Sequence, residues 1–180
     1  PPRFPTVSES IVKMSVCHIE EPNKFWCQRI DDQSRRDYKE ITRIIGSSGS
    51  RLEQWDVRLP VQRGQLVMAP FSQAGCSTRP DYFRAKVLSA HRTGGAAAPP
   101  STDLLRVYFI DFGNAAEVLA RDLKAVPEEL MLFAPLACEC RLKGVGPKLI
   151  SDLQGKWTKE AKEWFIERTL DRVKRKKTTI

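Results

Sequence analysis

The sequence predicts a mainly β chain with helices, built as a small barrel lobe and a second lobe assembled from both chain ends. Three observations predict it. Short strand-like runs separated by turn signals fill residues 65–120. A hairpin-like segment precedes them, and a strand followed by a helix comes after. Neither flank is large enough to fold alone, so packing the two together across the inserted barrel solves the problem.

The elements follow in order. IVKMSVCHI (11–19) and KFWCQRI (24–30) have strand composition, and EEPN (20–23) turns between them. The period then changes. Tyr38, Ile41, Ile44 and Ile45 form the stripe of a surface helix over 31–45, which Gly46 stops. QLVMAPF (65–71), YFRAKVLSA (82–90), DLLRVYFI (103–110) and AAEVLA (115–120) read as barrel strands. Residues 72–81 are a long turn-like insert, 91–102 a flexible loop, DFGN (111–114) a tight turn, and RDLKAVP (121–127) closes the barrel. A strand around LACECRL follows. The helix near the end carries Trp157, Ala161, Trp164 and Phe165 on one stripe and is capped by Thr158. The expected divisions are 1–60 and 128–170 for the second lobe, 61–127 for the barrel, and 171–180 for a basic tail.

Charge and cysteine use narrow the function. The 180 residues carry a net charge of +8. Half of that excess lies in DRVKRKK (171–177), which reads as a solvated end, with contact to RNA as the alternative. No run of 18 apolar residues is present to span a membrane. Cys17, Cys27, Cys76, Cys138 and Cys140 are odd in number and irregularly spaced, so they read as structural thiols in a reducing compartment. Cys138 and Cys140 share a strand face. With His18 and His91 as the only histidines, no metal site and no cofactor site is expected. The acid pairs Asp31–Asp32 and Glu128–Glu129 are adjacent and face apart, and no phosphate-binding glycine loop occurs. A binding module is expected rather than an enzyme.

The barrel indicates what is bound. Phe83, Ala85 and Val87 share one strand face, with Arg84, Lys86 and Leu88 on the other. Leu105, Val107 and Phe109 share a face of the next strand. Phe71 ends the preceding strand and Phe112 sits in the following turn, so four rings can converge at one mouth. Ring faces attract a cation by about 0.5–2 kcal/mol each. The Asn114 carboxamide can accept a guanidinium N–H. Spacing alone leaves cage and core readings of these rings balanced.

GQLVMAPF, YFRAKV and VYFIDFGN together resemble the Tudor domain. VCHIEEPNKFWCQ and VPEELMLFAPLACECRL with KWTKEAKEWF resemble the flanks of its extended form. NKFWCQRID with LVMAPF and YFRAKVL looks closest to the Tudor segment of spindle-E-like proteins, which join an RNA helicase region to it. The resemblance implies an SH3-like Tudor barrel inserted in a split OB/staphylococcal-nuclease-like lobe, with 31–45 as the linking helix. It implies a monomeric, non-catalytic module for symmetric dimethylarginine in arginine–glycine-rich peptides of Piwi-family proteins. It further implies a scaffold in cytoplasmic, perinuclear germline granules (nuage) of the small-RNA (piRNA) transposon-silencing pathway. Cage positions fall on Phe71, Phe83, Phe109 and Phe112, and the orienting amide on Asn114. Asp111 and Gly113 take structural roles at the turn. Tyrosine is common at several of these ring positions in the family, whereas all four are phenylalanine here, keeping ring faces but losing hydroxyl hydrogen bonds. Cage-independent protein interaction and RNA binding are the alternatives.

Overall fold

A computed structural model of the chain describes residues 11–47, 56–71, 81–92, 99–147 and 155–175. Strands β1 (Met14–Glu21) and β2 (Lys24–Arg29) form the predicted antiparallel hairpin. The third strand of that sheet comes from far along the chain. β7 (Ala137–Cys140) pairs with β2, placing Cys27 opposite Cys138. Both chain ends therefore build one sheet. Helix α3 (Lys159–Arg175) leans on β1, with the Phe165 ring centroid 5.3 Å from that of Phe25. Thr158 caps the helix by accepting the Ala161 N–H at 3.2 Å. One member of the predicted stripe departs from it. Trp164 is 58% exposed and stacks with the Arg168 guanidinium at 4.9 Å.

Helix α1 (Asp32–Ser47) links the two lobes. Asp31 caps it, accepting the Ser34 N–H at 2.7 Å, and that bond holds the carboxyl below its ordinary value. Ile41 and Ile44 are buried against Met68, Val126 and Leu130, as the periodicity predicts. Tyr38 is not part of that buried stripe. It is 45% exposed and borders a cleft with Arg35 and Leu136, because the face it occupies looks past the barrel.

Strands β3 (Leu66–Phe71), β4 (Asp81–His91), β5 (Leu104–Phe109) and β6 (Ala115–Leu119) form an antiparallel meander. The backbones of Met68 and Lys124 exchange hydrogen bonds at 2.8 and 2.9 Å, which rolls the segment after β6 back onto β3. A 3-10 turn at Ala120–Asp122 leads into this closure. Val67, Ala69, Ala85, Val87, Leu105, Val107 and Leu123 fill the interior. The alternation read from the sequence holds, with a bulge between Val87 and Ser89. The expected loop over 91–102 starts later, since β4 runs to His91; residues 93–98, like 72–80, lie outside the described residues.

A short helix, α2 (Glu128–Met131), and the segment up to β7 cross the outside of the barrel. This crossing changes the meaning of Arg84. Strand alternation puts it on the outer face beside Lys86, yet its exposure is 0% because residues 130–134 cover it.

Candidate functional site

The turn after β5 organises both the site and the junction between lobes. Gly113 has φ +90, a conformation that only glycine adopts freely. Its backbone also lies against Trp26 of β2. A Cβ placed there would meet the indole Cγ at 2.2 Å, far inside van der Waals contact. Gly113 therefore lets the three-stranded sheet approach the barrel. Asp111, 3% exposed, receives Arg84 Nε at 2.9 Å and Nη2 at 2.6 Å in a bidentate pair. Its carboxylate also accepts the Leu136 N–H at 3.1 Å, and its carbonyl accepts from the Gln28 side chain. Arg84 completes its set by donating to the carbonyls of Leu130, Phe133 and Ala134 at 2.9, 2.7 and 3.1 Å. One guanidinium thus ties the barrel to the crossing segment, and one carboxylate ties the turn to both. Arg84 was not singled out by sequence, although an arginine two residues after Tyr82 paired with an acid in the turn is a signal that is present.

The rings meet at the same end. Phe71 packs edge-on against Phe109 with centroids 5.2 Å apart, and Phe83 packs edge-on against Phe112 at 5.1 Å. Register explains the convergence. Phe83 lies beside Ala69 and Phe109 beside Ala85 on adjacent strands, so each large ring has a small residue as its ladder partner. Phe71, Phe83 and Phe112 are half-buried, whereas Phe109 is 1% exposed and belongs to the core. Its ring is a support beneath Phe71 in this structure rather than an exposed wall. The Asn114 carbonyl accepts the Phe109 N–H at 2.9 Å and so fixes the turn. The Asn114 side chain is half-buried, and its carboxamide makes no hydrogen bond to the described residues.

Four thiols, those of Cys17, Cys27, Cys138 and Cys140, lie on the three-stranded sheet; Cys76 lies outside the described residues. Burial pushes Cys17 and Cys138 up to about 11, and raises Cys27 and Cys140. Cys27 is fully buried and the other three are half-buried. The Cys138 and Cys140 sulfurs are 4.0 Å apart, on one face as predicted. Among the described residues no group of three or more His, Cys, Asp or Glu is placed to hold a metal ion. No described helix is long and apolar enough to cross a membrane.

The Tudor domain family profile matches residues 7–144. The chain belongs to the Tudor domain family. Mouse RING finger protein 17 is 28% identical over 175 residues, covering 93% of this chain and 9% of that protein. A probable ATP-dependent RNA helicase, spindle-E of Culex quinquefasciatus, is 28% identical over 173 residues, covering 94% of this chain and 12% of that protein. The chain thus spans about a tenth of each of these relatives. Among solved structures, extended Tudor domain TD3 of mouse TDRD1, bound to a MILI peptide containing dimethylarginine, superposes with a TM-score of 0.73 at 21% identity, covering 93% of this chain and 74% of that one. The extended Tudor domain of BmPAPI in complex with symmetric dimethylarginine superposes with a TM-score of 0.68 at 25% identity, covering 88% and 74%. The two-lobed architecture of this Tudor chain is the extended Tudor fold, with the barrel sheet held against a split second sheet.

Proposed function

We propose that this domain binds symmetric dimethylarginine in arginine–glycine-rich peptides of Piwi-type proteins, with no chemistry of its own. The observation that carries this reading is the cluster of three half-buried rings beside the Asn114 carboxamide. Phe71, Phe83 and Phe112 offer ring surface to a methylated guanidinium, Phe109 supports Phe71 from below, and the Asn114 oxygen accepts one guanidinium N–H. The complexes of TDRD1 with a dimethylarginine peptide and of BmPAPI with symmetric dimethylarginine support it. In this reading residues 61–127 bear the ligand, while 1–60 and 128–170 form the supporting lobe. The domain acts as a monomeric scaffold in the germline small-RNA pathway, at perinuclear cytoplasmic granules.

Calorimetric titration with matched unmodified and symmetrically dimethylated peptides tests it. The dimethylated peptide binds with micromolar affinity, roughly −8 kcal/mol. Phe112→Leu keeps apolar volume while removing the ring, and it weakens binding by about 1–2 kcal/mol, or roughly 5- to 30-fold. Asn114→Ala weakens it as well. Equal affinity for both peptides, or binding indifferent to both substitutions, would sink the cage. The closed position of Phe109 favours a second reading, in which the domain holds a protein partner without using the rings. Binding that survives in the Phe112→Leu/Asn114→Ala variant supports that alternative.

A further inference from the structure

We infer that a basic groove beside the aromatic mouth selects peptides whose methylarginine is flanked by acidic residues; this rests on the cage reading above. The groove has a volume of about 690 Å³ and runs between the lobes. Gly113 and Ala115 form its near edge, so one turn borders both the mouth and the groove. Gly113 is closed over by Trp26 whereas Ala115 is exposed, so a peptide chain that seats a side chain between Phe112 and Asn114 reaches the groove over Ala115.

The charges along the groove are unequal. Lys86, Arg106 and Arg63 line it and are exposed. Lys86 lies opposite Tyr108 in the β4–β5 register, and Arg106 is two residues along the same outer face. Among the described residues none of these three cations makes an ion pair or a side-chain hydrogen bond. Arg106 stands across from Glu117 in the β5–β6 register without bonding to it. On the opposite wall, Lys24 and Glu20 neutralise each other at 2.8 Å, leaving Glu139 as the one unpaired acid of the groove. The groove therefore repels a tail that stays cationic along its length and attracts one that turns acidic.

Strand geometry sets the spacing. Phe109 marks the level of the rings, Lys86 the next level, and Arg106 lies about 10 Å from Phe109 at roughly 3.3 Å per residue. An extended ligand covers that distance in about three residues, so the acidic positions fall about two to four residues from the methylarginine on one side. A peptide occupant is favoured over nucleic acid because the mouth and the groove share a turn, which makes one chain the simplest tenant of both.

Fluorescence anisotropy at low salt with the 180-residue chain tests the inference. The probes share a symmetrically dimethylated arginine–glycine core and carry Glu, Ser or Lys at those flanking positions, on either side in separate sets. Glu-flanked probes bind about tenfold more tightly than Lys-flanked ones on one side only, the effect of a few ordinary surface ion pairs. The difference collapses in about 0.5 M salt and in Lys86→Glu/Arg106→Glu, while preference for the methylated core persists. Flank-blind binding in the unaltered protein, or a flank preference that survives the charge reversal, overturns the inference. Flank-blind peptides together with a uridine oligonucleotide whose binding is lost on charge reversal would assign the groove to RNA instead. If no dimethylated probe binds, amide chemical-shift changes near Lys86, Arg106 and Tyr108 with an arginine-free acidic peptide read the groove separately. Shifts there sustain the groove and reject the cage, and their absence rejects the groove.

Discussion

Replacing Arg84 with methionine is the sharpest perturbation of this fold. The guanidinium is fully buried and makes a bidentate pair with Asp111 plus three bonds to backbone carbonyls. Removing it leaves a carboxylate that is 3% exposed without its counter-charge. Breaking a buried pair in this way costs about 3–5 kcal/mol. Each orphaned carbonyl that water fails to reach adds about 1 kcal/mol. The expected loss is about 4 kcal/mol, a shift of roughly 8–16 °C in Tm for a chain of this size. Urea denaturation followed by tryptophan fluorescence measures it. Arg84→Met/Asp111→Leu removes both charges, so it costs less than the two single variants together by at least about 2 kcal/mol. A loss below about 1 kcal/mol for Arg84→Met, or additivity within about 0.5 kcal/mol, would refute the claim that this pair clamps the lobes.

Other predictions follow from the same geometry. Gly113→Ala destabilises by about 3 kcal/mol or more in urea titrations, because strain at positive φ adds to overlap with Trp26. Gly144→Ala, with φ +77 and open space around it, costs only about 1–2 kcal/mol and isolates the first contribution. At pH 8 the native Cys17 and Cys138 alkylate about 100-fold more slowly than in urea, as mass spectrometry of iodoacetamide adducts reads, because burial holds them as thiols. His18, tilted against Trp26 with centroids 5.3 Å apart, is held below 6.5 by burial. The unfolded chain then takes up a proton first, so stability falls as pH drops below 6.5 toward the folded value. The slope is at most about 1.4 kcal/mol per pH unit, and His18→Gln flattens it in urea titrations across that range.

What could be read from the sequence was whatever depends on a residue and its near neighbours. Period two along β4 and β5 identified Ala85, Val87 and Val107 as interior, and period 3.6 in α1 identified Ile41 and Ile44. Alternation tells which face a side chain takes but not what lies over that face. Arg84 and Lys86 share a face, yet the crossing segment covers only the first. Phe109 was legible as a ring at the barrel end, but its depth depends on Phe71 leaning across from β3. Tyr38 and Trp164 fit helical stripes and emerge exposed because the surfaces they follow end before reaching them. The contact between Gly113 and Trp26 joins residues far apart in sequence, and only the assembled turn reveals why that position excludes a side chain.

The pairing of β2 with β7 has a consequence for how the chain reaches its native state. Cys27 and Cys138 lie 111 positions apart along the chain. Bringing them together from an unfolded coil requires closing a long loop, a loss of chain entropy that their few strand contacts repay late. The barrel strands between them are near neighbours in sequence and meet through short-range contacts. Once the barrel has formed, it delivers the β2 and β7 segments to the same side, with Asp111 binding Gln28 from one and Leu136 beside the other. This topology predicts that the inserted lobe templates the sheet that encloses it: in stopped-flow urea kinetics, substitutions in the barrel core slow folding, whereas substitutions in β7 mainly speed unfolding.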